Sequence, residues 1–269
     1  MTKGIVPATA RAPGHHRTRN VQGMCGRFVS SSSPEKVAAY FDVDAVDEKL
    51  EEQSPNYNTA PTSSVMVVYE DGSTRRLAPF RWGLVPSWAK DTKIGSRMIN
   101  ARGESVADKP SFRSAFTKRR CIIPADGFYE WTTDPNEPKK QPYYIHRPDG
   151  EPYAFAGLWE VWRPKDSDDD QPEQLRTCTI ITTTANDNMS RLHDRMPVIL
   201  ERDDWETWLS PQNHDKDLLG SLLVPAANDL ITFHPVSKDV NNARSRGEHL
   251  LDPVDVDVSP VPGPSLGQK

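Results

Sequence analysis

Apolar and polar positions along the chain change places at short intervals, and the pattern predicts many short strands with a few helices. "SSVMVVYE" (63–70), followed by "DGSTRRLAPFRWG", reads as strand, Asp-Gly turn and strand. "CIIPADGFYEW" (121–131) is strand-like, rich in β-branched and aromatic residues. "PYYIHR", "YAFAGLWEVW", "TCTIITTTA", "MPVILE" and "LITFHPVS" predict further short strands. Helices are predicted at "SSSPEKVAAYF" (31–41), with Ser33 as N-cap, Pro34 in the first turn and Glu35 beside it, and again at "RDDWETWLS" and "DKDLLGSLL". The polar breaks "TTDPNEPKKQP" (132–142) and "RPKDSDDDQPEQ" (163–174) read as exposed hairpin tips. No internal repeat is visible. The expectation is an α+β domain with a mainly antiparallel, curved or barrel-like sheet and a few short helices.

Composition limits this picture without redirecting it. A chain of 269 residues suits one domain or two small ones, with length enough to bury a core. All seven Trp fall between Trp82 and Trp208, so the middle of the chain is globular. The net charge of −5 announces no nucleic-acid partner, but the charge is unevenly spread. Arg75 to Arg120 holds twelve Lys/Arg against three Asp/Glu; Glu201 to Lys269 holds twelve Asp/Glu against six Lys/Arg. On charge alone the basic stretch reads as solvated surface. Cys25, Cys121 and Cys178 are odd in number and contain no Cys-x-x-Cys, which argues against a disulfide framework or a zinc site and fits a reducing cytosol. No apolar run approaches the roughly 20 residues of a membrane span. Residues 1–23 carry basic residues without acids but lack the apolar core of a secretory signal, and they read as a disordered leader. The Pro- and Gly-rich residues 254–269 read as a frayed tail.

Cys25 changes the question from fold to chemistry, because it follows Met24 within "VQGMCGRF". If Met24 starts the working chain, its removal leaves an N-terminal cysteine, whose amine and thiol lie two carbons apart. The free amine titrates at about 7.7–8.0 and the thiol at about 8.5, so both are partly deprotonated near neutrality. An aldehyde can form a Schiff base with the amine, and the thiol can close onto the imine carbon to give a thiazolidine. An internal cysteine cannot do this, since its nitrogen is an amide. Taken alone, Cys25 reads as a small buried residue. Asn100, Glu130 and His193 each sit beside strand-like residues and each has a plain reading: helix cap, outward strand position and turn histidine.

"MCGRF", "YNTAPT" (57–62), "RWGLVPSWAKD" (81–91), "NARGE" (100–104), "RRCIIPADGFYEW" (119–131), "AGLWE" (156–160), "TTTAN" (182–186) and "HDRMPVIL" (193–200) occur in that order. Together they resemble the SRAP family of SOS-response-associated peptidases and abasic-site processing proteins. The resemblance spans residues 24–253 and implies a single SRAP-type domain. It implies binding of single-stranded DNA and covalent capture of abasic-site aldehydes through N-terminal Cys25, with Asn100, Glu130 and His193 as the other catalytic residues. The residue chemistry agrees. Glu130 suits a proton shuttle in carbinolamine dehydration if burial beside Tyr129 and Trp131 raises its pKa. His193 suits acid–base work near neutral pH. Asn100 can hold an amine or sugar oxygen without competing for protons.

The same resemblance nominates Arg27, Arg102 and Arg195 as phosphate clamps, with Arg81 and Arg97 as weaker candidates. Trp82 and Trp88 become candidate base-stacking platforms, and Pro86 between them a wedge. Asn58 and Pro61 are expected to shape the pocket beside Cys25. The plain alternatives are that both tryptophans are core and that Arg102 pairs with Glu104. Gly103 stands where the family often has a larger residue. No metal or cofactor is expected. The expected partner is single-stranded DNA containing abasic sites, handled by a monomer in the cytoplasm at damaged nucleoid DNA, with no membrane association. Leader residues 1–23 are expected to be a mis-set start or a removed segment. Three other readings remain open: an N-terminal-nucleophile, glutaminase-like amidohydrolase; a non-catalytic single-strand binding module; and a peptidase that removes its own leader, which is compatible with crosslinking.

Overall fold

The computed structural model describes residues 26–132, 140–164 and 174–256. The expected leader, most of both hairpin tips and most of the expected tail lie outside the described residues. The first half comprises β1 (Phe28–Ser30), α1 (Pro34–Tyr40), β2 (Ala45–Val46), β3 (Asn56–Thr59), β4 (Ser64–Asp71), β5 (Thr74–Trp82), β6 (Asn100–Arg102), α2 (Arg113–Lys118), β7 (Arg120–Ala125) and β8 (Gly127–Thr132). The second comprises β9 (Gln141–His146), β10 (Tyr153–Trp162), β11 (Leu175–Thr184), α3 (Asp187–Ser190), β12 (Arg195–Pro197), α4 (Trp205–Leu209), α5 (Lys216–Ser221) and β13 (Thr232–Pro235). Among the described residues no helix is long and apolar enough to cross a membrane.

Local chemistry explains the most regular elements. The β4–β5 hairpin turns at Gly72, whose φ of +66° a side chain would strain. Ser33 caps α1 by accepting the Lys36 N–H at 3.3 Å, and the helix buries Pro34 and Val37.

Strands β11, β10, β7, β4 and β5 pair in that order, and β5 then pairs back to β11, with Thr177 opposite Arg81 and Cys178 opposite Trp82. That parallel contact closes a five-stranded barrel and removes its open edges. A second, antiparallel sheet runs β13–β9–β8–β1–β3. The stretch 121–131 is therefore two strands and not one: the chain leaves the barrel at Ala125 and enters the second sheet at Gly127. Asp126 makes the corner, its carboxylate accepting the Ser31 and Ser32 N–H groups at 2.6 and 2.8 Å, and both hydroxyls as well. Gly127 is required there, because a Cβ would come within 2.3 Å of the Tyr144 ring. Phe28 joins the two sheets, meeting Trp82 edge-on at 5.0 Å and Phe155 at 6.4 Å.

Strand register decides where chemistry can gather. Tyr153 pairs with Ala125 and Leu158 with Arg120, while Gly157 pairs with Ile180 and Trp162 with Leu175. The ends of β7 and β11 thus lie at one end of the barrel. The segments that follow them carry Glu130 and His193. The opposite end is closed by Arg120, which is 2% exposed. Its guanidinium donates to the carbonyls of Trp208, Phe116, Thr117, Ser210 and Asn213 at 2.5–3.0 Å, tying α2, α4 and the following turn to β7.

Candidate active site

A cavity of about 730 Å³ opens where β8, the turn after α3 and the 238–245 segment meet. Glu130, Trp131 and Arg27 line it from the second sheet, His193 from the barrel side, and Lys140, Lys238, Asp239, Asn241, Asn242 and Ser245 from the remaining wall. Cys25 lies outside the described residues, but the residue bonded to it, Gly26, lines the cavity. Glu130 is 4% exposed on β8, opposite Tyr143 of β9. A carboxyl group is thus brought to the cavity wall with little access to bulk water.

His193 sits between α3 and β12. Its Nδ1 lies 3.1 Å from the Arg195 N–H, which can only donate, and 3.0 Å from the Asp194 carboxylate. The two contacts ask for opposite protonation states. Asp194 is exposed and screened by water, so the amide prevails: Nδ1 accepts, and the neutral ring carries its proton on Nε2. Burial accordingly holds the His193 pKa below the ordinary 6.5, against the pull of Asp194, while Lys140 and Arg195 lower it further.

The far wall is built on Asn58. This fully buried amide accepts from Arg27 Nη1 at 2.7 Å and donates to the carbonyls of Val240, Asn242 and Ser245 at 3.1–3.4 Å. Arg27 Nη1 also donates to the Val240 carbonyl at 2.9 Å. Trp131 Nε1 adds a bond to Asn241 Oδ1 at 2.6 Å. One buried side chain and two cavity residues thus fasten the 240–245 segment over the site.

The sequence model described as SOS response associated peptidase (SRAP) matches residues 24–243. The chain belongs to the SRAP family. Among SRAP relatives it is 45% identical over 229 residues to "Abasic site processing protein YoaM" of Bacillus subtilis, covering 85% of this chain and 98% of that one. It is 34% identical over 263 residues to "Abasic site processing protein HMCES" of Xenopus tropicalis, covering 82% and 76% of the two chains. A crystal structure of a Bacteroides thetaiotaomicron protein superposes with a TM-score of 0.76 at 28% identity, over 86% of this chain and all of that one. A Bordetella bronchiseptica protein does so with a TM-score of 0.63 at 26% identity, over 79% of this chain and all of that one.

Within this SRAP domain the residues nominated from sequence divide. Arg27, Glu130 and His193 share the cavity. Asn100 is half-buried on β6, paired with Ile180 of β11, and stands outside the cavity lining. Trp88 is 53% exposed and Arg102 is exposed. Two nominations to the DNA surface are corrected. Trp82 is fully buried, its Nε1 bonded to the Ile99 carbonyl at 2.9 Å, and is core. Pro86 is buried, so it presents no wedge. Asn58 is fully buried beneath the cavity wall, where it holds Arg27 and the 240–245 segment. Pro61 is half-buried at the end of β3.

The partner of Glu104 is Arg195, not Arg102. Arg195 reaches both Glu104 oxygens, at 2.5 and 2.9 Å, and also the Thr182 carbonyl at 2.7 Å. This contact holds the Glu104 carboxyl below its ordinary value. Sequence reading missed Lys140 and the whole 238–246 wall. The available signal was the cluster of Lys238, Arg244 and Arg246 inside an otherwise acidic C-terminal third.

Proposed function

We propose that this protein processes abasic sites, binding single-stranded DNA and forming a thiazolidine crosslink through Cys25. The observation that carries the reading is that buried Glu130 and half-buried His193 face one cavity that starts at Gly26, the residue after Cys25. The Cys25 amine attacks C1 of the ring-opened sugar. Glu130 delivers a proton to the carbinolamine hydroxyl, which leaves as water and gives the iminium. The Cys25 sulfur then adds to C1 and closes the five-membered ring. His193 exchanges protons with the sugar hydroxyl groups; Asn100, which is not among the lining residues, is assigned to the Cys25 amine by the family resemblance alone. The chemistry needs a free amine, so the bond before Cys25 is absent from the working protein. Self-cleavage by Cys25 would supply that state, as would initiation at Met24. Exposed Trp88 and Arg102 suit the flanking strand. Arg195 suits it once it exchanges Glu104 for a phosphate.

The test is an intact-mass measurement, followed by incubation with an oligonucleotide carrying one abasic site and a denaturing gel. Protein beginning at Cys25 should give a heat-resistant shifted band, and Cys25→Ala should give none. Leader-free protein without a shifted band would overturn the reading. A band from protein that keeps its leader would overturn the aminothiol step.

A further inference from the structure

We propose that the 238–246 segment carries a phosphate subsite, in which Arg246, with Arg27 and Lys238, seats one backbone phosphodiester beside the captured sugar. The proposal rests on the single-strand reading above and adds a second contact surface, on the part of the same cavity formed by Arg27 and the 238–246 segment. Arg246 is exposed at the end of the segment, next to lining residue Ser245. Its Nη1 donates to the Ala243 and Ser245 carbonyls at 2.7 and 2.9 Å, bonds that orient the guanidinium without neutralising it. The Ser245 carbonyl is also gripped by Asn58, which holds Arg27 as well. Both guanidiniums are therefore fixed on one short piece of backbone.

Among the described residues neither arginine has a carboxylate within ion-pair distance, although Arg195, Arg119 and Arg202 all do. The two cations are close enough that Arg246, after burial, depresses the Arg27 pKa. Holding like charges together opposes folding, and here a fully buried amide is committed to maintaining it. An anion offsets that repulsion. Lys238 and the neighbouring acid Asp239 both line the same wall, and Asp239 is exposed, so water screens its charge. A phosphodiester fits better than a carboxylate-bearing protein partner, because the subsite opens into the cavity assigned to the sugar. The phosphate is then covalently part of the same substrate.

Binding is measured with a single strand carrying a tetrahydrofuran abasic analogue, which has no aldehyde. Failure of the covalent chemistry therefore leaves this test intact. Arg246→Gln should weaken binding roughly fivefold to tenfold at low salt and reduce the slope of log affinity against log salt by about 0.7, one phosphate's worth on a single strand. Arg246→Lys should keep the slope; a loss equal to that of the glutamine variant would mean that Arg246 only braces its loop, and would overturn the proposal. Lys118→Gln, on α2 at the opposite barrel end, removes the same charge and should change nothing. Strands with a neutral methylphosphonate on the 5′ or 3′ side of the analogue complete the test. At one of the two positions wild type should lose at least as much as Arg246→Gln costs, and the variant, with only Arg27 and Lys238 left to lose, should lose less than wild type. If wild type and variant lose equally at both positions, or if neither responds because the subsite takes a free anion, the proposal is wrong.

Discussion

Arg120 and Arg27 are both drawn into the protein, and the two ends of the barrel use them differently. Arg120 donates to five carbonyls and lies 6.0 Å over the Trp208 ring. Burial lowers its pKa to about 10 even so. Arg27 is held by one side-chain oxygen and one carbonyl, both through Nη1, and its remaining face looks onto a cavity. A guanidinium saturated by backbone oxygens is a structural fastener, since any ligand would have to displace bonds already made. One that is anchored on a single nitrogen, with a second cation nearby, retains donors for something else. Burial alone does not separate the two roles; the number of donors already used does.

The sharpest way to break this contrast is at the open end. Glu130→Gln should slow crosslinking by about 10²–10⁴-fold in single-turnover measurements, the usual range for a lost general acid, with no fall in melting temperature. A variant that unfolds instead would make Glu130 a fastener like Arg120. Arg120→Met should do the reverse. It strands five inward-facing carbonyls and should lower unfolding free energy by about 3–5 kcal/mol in urea titrations, while the folded fraction crosslinks at the normal rate.

The two tryptophans repeat the contrast on a smaller scale. Trp82→Ala should lower stability by about 3–5 kcal/mol, as large core deletions do. Trp88→Ala should leave stability within about 0.5 kcal/mol and weaken single-strand binding by about 1–3 kcal/mol, read as a change in dissociation constant. Equal stability losses would place Trp88 in the core with Trp82.

The smallest expected effect concerns His193. Its folded pKa lies below the unfolded value, so the folded state binds fewer protons as the histidine range is crossed. The associated stability is present above the ordinary value of 6.5 and is lost as pH falls through the lowered folded value. Melting temperatures of wild type and His193→Gln should therefore converge as pH drops from about 7.5 to about 5, apart from changes common to both. Wild type gaining on the variant over that interval would mean that Asp194, not burial, dominates the ring.

Sequence pattern located what local chemistry specifies. The Ser33 cap, the Asp-Gly hairpin and the apolar runs of β9, β10 and β11 all lie where residue types and spacing put them. The ordered motifs led to the SRAP family and from there to Glu130 and His193. What stayed hidden depends on contacts between distant segments. The corner at Asp126 interrupts a stretch whose alternation reads straight through it. Trp82 resembles Trp88 in sequence, but β5 lies against Cys178 of β11, and that pairing buries the first ring alone. Sequence proximity offers Arg102 as the partner of Glu104, and the sheet brings Arg195 to it instead. Only Met196 and Pro197 of "MPVILE" fall in β12, because that strand pairs with the end of β11 and the chain then turns toward α4.

The Asn58 grip also has a consequence for the order in which the protein becomes competent. The Arg27–Val240 bond joins residues 213 apart, and Asn58 holds carbonyls 182 to 187 positions downstream. A ribosome delivers Arg27 at the beginning of translation of this domain and Val240 to Ser245 near its end. Until that last segment emerges, the nascent chain has no far wall for the cavity, and of the two bonds that hold Arg27 only the one to Asn58 can form. One wall of the cavity is thus translated early and the other among the last parts made, so vectorial synthesis itself delays assembly of the site.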